Sequence, residues 1–251
     1  MGEALSFVDA VPRDAAAGLD ADTIHLWRMA YDPSRRRAPL IALLAAYLGV
    51  PASTVTLGQG AKGKPRLQAA AVGSSQTRAH RADAMLSSPP SGQTYPPGAD
   101  AALSFNWSHS GEYALVALAR RDALGVDIER LGKQARVLGI AQRFFDPAEA
   151  ALLASLDPVS RQRAFIGLWC AKEAVLKAAG EGLSFGLARL AFTSRSGRDW
   201  ALARVDPALG DVSAWQLSGF SAAPGYRGAL AWRGAPKRIV AFDLDRAARS
   251  G

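Results

Sequence analysis

The stretch DPVSRQRAFIGLWCAKEAVLKAAG, residues 157–180, decides the fold class. Asp157 is an N-cap whose carboxylate can take orphan backbone N–H groups. Pro158 suits the first helical position, and Gly180 suits the left-handed residue that ends a helix. The stretch predicts one long helix through Trp169 and Lys177. Just upstream, Asp146-Pro147-Ala148-Glu149 opens a shorter helix in the same way, with the acid at the third position that completes a capping box. Downstream the pattern changes. Residues 187–193, 200–205, 213–220, 227–232 and 238–244 are short apolar runs that read as strands. Helices followed by a run of strands make an α+β protein.

The first half of the chain shows the same order. Residues 23–31 read as a strand and residues 1–22 as an extended, loosely held arm. Pro39 to Gly49 reads as an almost wholly apolar helix, which should therefore be buried. Residues 103–106 and 113–119 read as strands around a polar turn, WSHSGE, and residues 124–128 as another strand. SHSGEYALVALAR in the first half echoes SAAPGYRGALAWR in the second. The expected architecture is a pair of similar α+β halves, residues 1–122 and 123–251. Residues 68–102 carry Ser, Gly, Gln and two Pro-Pro pairs without apolar period, and read as an insertion outside the core.

Composition narrows the function. Of 251 residues, 49% are apolar and 21% charged, which excludes global disorder. The most apolar stretch, 39–50, is shorter than the ~20 residues that a membrane-spanning helix needs, so no membrane role is expected. The first residues lack the basic-then-apolar order of a signal peptide. Cys170 is the one cysteine, so no internal disulfide can form, and a reducing cytoplasm is the expected compartment. The net charge of +8 favours anionic partners of any kind.

Four segments carry candidate chemistry. Gly58-Gln-Gly-Ala-Lys62-Gly63-Lys64-Pro65 matches most of a phosphate-binding loop, but Pro65 stands where a metal-binding hydroxyl is required. A P-loop nucleotide hydrolase is disfavoured on that ground, although Lys62 and Lys64 still present two ammonium groups. Phe105-Asn106-Trp107-Ser108-His109-Ser110 places Ser beside His, yet Asn106 and Ser110 stand where a nucleophile elbow needs glycines. His109 is instead a candidate anion donor. In Gly125-Val126-Asp127-Ile128-Glu129, residues two apart on a strand share a face, so Asp127 and Glu129 project together with Val126 and Ile128 buried opposite. Two adjacent carboxylates repel unless a cation lies between them, and hard oxygen ligands suit Mg²⁺. In Trp169-Cys-Ala-Lys172-Glu173-Ala-Val-Leu176-Lys177, helical spacing puts Trp169, Glu173, Leu176 and Lys177 on one face. A basic nucleic-acid-binding module is the rival that charge alone motivates, and no reader motif supports it.

Taken in order, Phe-Asn-x-Ser-His-Ser, Gly-Val-Asp-Ile-Glu and Trp-x-x-Lys-Glu-Ala-x-x-Lys resemble the Sfp-type 4′-phosphopantetheinyl transferases. Gly63-Lys64-Pro65, Arg143-Phe144-Phe145-Asp146-Pro147-Ala148-Glu149 and Gly180-Glu181-Gly182-Leu183-Ser184 resemble that family too. The resemblance implies an enzyme that moves 4′-phosphopantetheine from coenzyme A to a serine of an apo acyl or peptidyl carrier protein, releasing adenosine 3′,5′-bisphosphate. It implies a monomeric pseudo-dimer of two α+β halves with the active site between them. Asp127, Glu129 and Glu173 match the family's Mg²⁺ ligands, and Lys177 a pyrophosphate-binding lysine. Lys62, Lys64, Ser108 and His109 match positions that bind coenzyme A. Glu173 is also a candidate for activating the serine hydroxyl. One departure stands out: the region before Lys62 is short, and Pro39 interrupts the longer arginine-rich helix that the family carries there. The basic surface suits an acidic carrier protein without invoking nucleic acid.

Loop-closure cost grows only as about (3/2)RT ln n. Replacing residues 70–98 with a short Gly-Ser linker is therefore expected to change stability by under about 1 kcal/mol. A thermal melt of the deletion variant checks this, and a collapsed midpoint would place the segment in the core.

Overall fold

A computed structural model describes residues 5–60, 65–68, 103–132, 136–194 and 197–244. The chain is mixed α+β. In order it forms β1 (Val8–Asp9), α1 (Pro12–Ala16), β2 (Thr23–Ala30), α2 (Ala38–Leu48), β3 (Leu57–Gln59) and β4 (Pro65–Leu67). There follow β5 (Leu103–Ser110), β6 (Tyr113–Arg120), β7 (Leu124–Arg130), α3 (Val137–Phe144), α4 (Pro147–Ser155) and α5 (Pro158–Ala179). The chain closes with β8 (Ala191–Thr193), β9 (Ala201–Arg204), β10 (Trp215–Ala223), β11 (Tyr226–Arg233) and β12 (Arg238–Asp243).

Two sheets organise the molecule. The first has the order β1-β12-β2-β6-β5, and the second the order β10-β11-β7. β12 runs parallel to both β1 and β2, whereas the other neighbours are antiparallel. β12 thus returns from the end of the chain into the first sheet. Side-chain alternation explains the layering. His25, Trp27 and Met29 of β2 face α2, while Ile24 and Leu26 face the second sheet. β6 does likewise, with Val116 and Leu118 toward α2 and Leu115, Ala117 and Ala119 toward Val126, Ile128 and Leu230. A strand buried on both faces carries a continuous apolar run, which is why these segments read so clearly. α5 covers the far face of the second sheet, against Ala229 and Ala231. The layers run α2, first sheet, second sheet, α5.

The helix ends follow their capping residues. Asp146 and Glu149 form a reciprocal capping box at α4. Asp157 accepts from the N–H groups of Val159 and Ser160 at α5, and Gly180 ends that helix at φ 76°. Gly49 ends α2 at φ 67°. Only one face of α2 is buried, through Leu40, Leu43, Leu44 and Tyr47, and Leu48 is exposed.

Three further expectations need correction. Residues 1–22 are not simply an extended arm, because β1 pairs with β12 and α1 lies against α2. Residues 107–110 are strand rather than turn, and only Gly111 and Glu112 turn the chain. Their serines find partners on β7, so polarity there did not signal a turn. Residues 187–189 form a 3-10 turn before β8, because the carbonyls of Leu187 and Leu190 converge on Lys172. α3 is a helix not anticipated above, although Val137, Ala141 and Phe145 recur at helical spacing and are buried. Residues 69–102, with almost all of the expected insertion, lie outside the described residues, as do Lys62 and Lys64.

A buried polar triad pins α2 to β2. Trp27 Nε1 donates to the Tyr47 hydroxyl at 2.8 Å, and that hydroxyl lies 2.7 Å from His25 Nδ1. Burial keeps His25 neutral and its other ring nitrogen bonds the Gly18 backbone, so Nδ1 is left to accept from the Tyr47 O–H. Burial pushes the His25 pKa down to about 4. The folded state thus binds this proton more weakly than the unfolded chain. Stability is full above about pH 6.5 and is lost as pH falls toward 4, by on the order of 3 kcal/mol. Chemical denaturation across that window should show this slope, and the slope should flatten in His25→Gln.

Candidate active site

Gly125, Asp127 and Glu129 alternate toward α5 along β7, while Val126 and Ile128 are fully buried against the first sheet. Gly125 lets the helix come close. A Cβ there would lie 2.1 Å from the Ala174 carbonyl oxygen and 2.4 Å from the Ala178 nitrogen. The backbone of α5 therefore rests on the strand. Glu173 and Lys177, one turn apart on that helix, are carried to the carboxylates of β7.

Lys177 Nζ lies 2.6 Å from Asp127 Oδ1 and donates to Ser108 Oγ at 3.0 Å and to the Val126 carbonyl at 3.3 Å. Asp127 is buried, so this ammonium offsets a charge that burial would otherwise penalise. The second supply of partners comes from β5. Asn106 Oδ1 accepts the Val126 N–H at 2.8 Å, Ser108 Oγ donates to Asp127 Oδ1 at 2.8 Å, and Ser110 Oγ donates to Glu129 Oε2 at 2.9 Å. β5 and β7 are not neighbours in either ladder, so these side chains join the two sheets.

The cluster carries more negative than positive charge. Burial chiefly, and then the charge of Asp127, raise the Glu129 carboxyl above the ordinary range, against a lowering by Ser110 and Lys177. Burial also raises Glu173, with Asp127 and Glu129 adding to it and Lys177 opposing. Asp127 Oδ2 and Glu173 Oε1 are buried and have no hydrogen-bond partner. Among the described residues no three His, Cys, Asp or Glu side chains form a ready-made metal cage. Yet two orphaned carboxylate oxygens beside a third carboxylate are a donor set that fits a hard divalent cation.

The structure brings Ser108, Asp127, Glu129, Glu173 and Lys177 together. His109 projects from the opposite face of β5, where its ring stacks on Tyr31 at 3.9 Å between centroids and 7° between planes. Burial and the charge of Lys177 hold its pKa below the ordinary value. Ser108 and His109 thus cannot act as a nucleophile and base pair. Lys172 also departs from its neighbours. It is fully buried, 2.9 Å from Glu149, and donates to the carbonyls of Leu187 and Leu190. It is a structural clamp, and Cys170 is a buried neutral thiol. Reading the sequence missed Asn106, Ser110 and Gly125 as parts of the site. The polar spacing of two in Asn106, Ser108 and Ser110 was the available signal.

Comparison with known proteins adds an independent line. Residues 123–231 match the 4′-phosphopantetheinyl transferase superfamily. A putative 4′-phosphopantetheinyl transferase of Synechocystis sp. is 40% identical over 116 residues, 45% of this chain and 45% of that protein. The 4′-phosphopantetheinyl transferase HetI of Nostoc sp. is 32% identical over 178 residues, 68% of this chain and 64% of HetI. The transferase Sfp of Bacillus subtilis is 37% identical over 83 residues, 33% of this chain and 36% of Sfp. The chain spans less than two thirds of the length of each of these relatives.

Gly125→Ala tests the contact that assembles the cluster. Its methyl group would press on backbone, which cannot swing aside, so the variant should lose about 1–3 kcal/mol. Denaturant unfolding measures this, and an unchanged midpoint would mean that the helix stands further off.

Proposed function

We propose that this chain, whose residues 123–231 belong to the 4′-phosphopantetheinyl transferase superfamily, transfers 4′-phosphopantetheine from coenzyme A to a serine of an apo acyl or peptidyl carrier protein. The observation that carries the reading is the carboxylate cluster with its two orphaned buried oxygens, held against Lys177 between β7 and α5. In this reading Asp127, Glu129 and Glu173 hold Mg²⁺. When bound, that ion neutralises charge on the pyrophosphate and on the departing phosphate. The halves 1–122 and 123–251 form the pseudo-dimer, with β12 of the second half crossing into the first sheet and the site where β5 meets β7. The chain acts as a cytoplasmic monomer. Among its described residues no helix is long and apolar enough to cross a membrane.

The residues divide the work. Lys177 supplies positive charge to the pyrophosphate, and Ser108 a hydroxyl beside it. Lys62, Lys64 and His109 contribute donors toward the remaining phosphate groups of coenzyme A. Glu173 takes the proton of the carrier serine, directly or through water. The serine oxygen then forms a bond to the phosphorus that bears pantetheine. The bond from that phosphorus to the bridging oxygen breaks, and adenosine 3′,5′-bisphosphate leaves with the electron pair. A net charge of +8 gives an acidic carrier protein an attractive surface. The nucleotide-hydrolase alternative loses further ground, since Pro65 opens a strand where a phosphate loop requires a helix.

Intact-mass spectrometry of an apo carrier protein incubated with the chain, coenzyme A and Mg²⁺ tests this directly. The carrier should gain the phosphopantetheine mass, and a chelator should abolish the gain. Asp127→Ala and Glu129→Ala should each slow transfer by about 100-fold or more, as loss of a few kcal/mol of charge stabilisation implies. Full activity in either variant at saturating Mg²⁺ would remove that residue from the site.

A further inference from the structure

Ser110 has two partners, and both lie on β7. Its hydroxyl proton goes to Glu129 Oε2 at 2.9 Å, and its oxygen accepts the N–H of Arg130 at 3.1 Å. A hydroxyl has one proton to give, so the backbone bond fixes the direction in which that proton points. Because β5 and β7 share no ladder, the contact is a bridge from one sheet to the other.

The neighbouring turn holds Ser110 in register. Gly111 turns the chain at φ 55°, where a Cβ would lie 2.4 Å from the Tyr226 hydroxyl. That hydroxyl, on β11 of the second sheet, accepts the Glu112 N–H at 3.1 Å. The end of β5 is therefore tied to the second sheet on both sides of Ser110. Glu129, by contrast, sits near the end of β7, and its side chain has several rotatable bonds to restrain.

We propose that Ser110 is a positioning residue that presents Glu129 to the divalent cation. The proposal rests on the transferase reading above. The Ser110 hydroxyl commits one carboxylate oxygen and so limits the orientations in which Glu129 can meet the ion. Its partner atom is the Arg130 N–H, a group that substitution of any side chain on β7 leaves in place. The serine acts on the cation through Glu129 and touches neither the pyrophosphate nor the carrier serine.

Mn²⁺ serves as the probe, with the free ion followed by its paramagnetic resonance signal in the presence of coenzyme A. Ser110→Ala in the full chain should weaken Mn²⁺ binding about tenfold, the scale of one hydrogen bond to a charged group. Its thermal midpoint and its KM for coenzyme A at saturating metal should match the parent. Ser110→Thr, which keeps the hydroxyl, should bind Mn²⁺ within about threefold of the parent. Unchanged Mn²⁺ affinity in Ser110→Ala, in a parent that does transfer phosphopantetheine, overturns the Ser110 assignment alone. So does a Ser110→Thr variant as weak as Ser110→Ala, or a Ser110→Ala variant whose midpoint falls together with its metal affinity. A parent that neither binds Mn²⁺ nor modifies a carrier protein removes the transferase reading and this inference with it.

Discussion

The backbone of α5 lies directly on the α-carbon of Gly125, and most of what is chemically interesting in this protein depends on that contact. A helix normally keeps about 10 Å from a sheet, because side chains fill the gap. Here one missing side chain lets helix backbone meet strand backbone. The next residues along each element, Asp127 and Glu129 on the strand and Glu173 and Lys177 on the helix, are then forced into one small volume. Three carboxylates with a single ammonium would not assemble on electrostatic grounds. Apolar burial around them, through Val126 and Ile128 behind the strand and Ala174 and Leu176 where the helix packs, holds them there.

A second clamp fixes α5 from its other side. Lys172 precedes Glu173 and is buried with all three of its N–H groups used, by Glu149 and two carbonyls. Glu149 in turn accepts from the N–H groups of Phe192 and Asp146. Loss of either charge would leave the other buried and unpaired, at a cost of about 3–5 kcal/mol. The pair therefore sets the rotation of α5 about its axis, and with it the direction of Glu173.

Much of this was legible in the residues. Asp157, Pro158 and Gly180 bounded α5 correctly, and the same-face spacing of Asp127 and Glu129 was read correctly, because capping and strand alternation are local rules. What failed were the non-local cases. Ser108 and Ser110 read as turn residues because a polar strand face makes sense only once its partners on β7 are known. Residues 187–189 read as strand because nothing local reveals that their carbonyls are drawn to a lysine 15 residues earlier. Gly125 read only as part of a motif, since the helix that needs its small size arrives much later in the chain.

The return of β12 into the first sheet has a consequence for how the molecule comes into being. Arg28 on β2 pairs with Asp243 on β12, 215 residues away, and β12 separates β2 from β1 within the sheet. On the ribosome, β2, β6 and β5 can pair early, but the sheet keeps an open edge along β2 until β12 has emerged. Such long-range pairing is slow and leaves an unpaired strand exposed meanwhile. Synthesis order thus makes β12 a latch: β2 keeps an open edge until that strand, made more than 200 residues later, pairs with it.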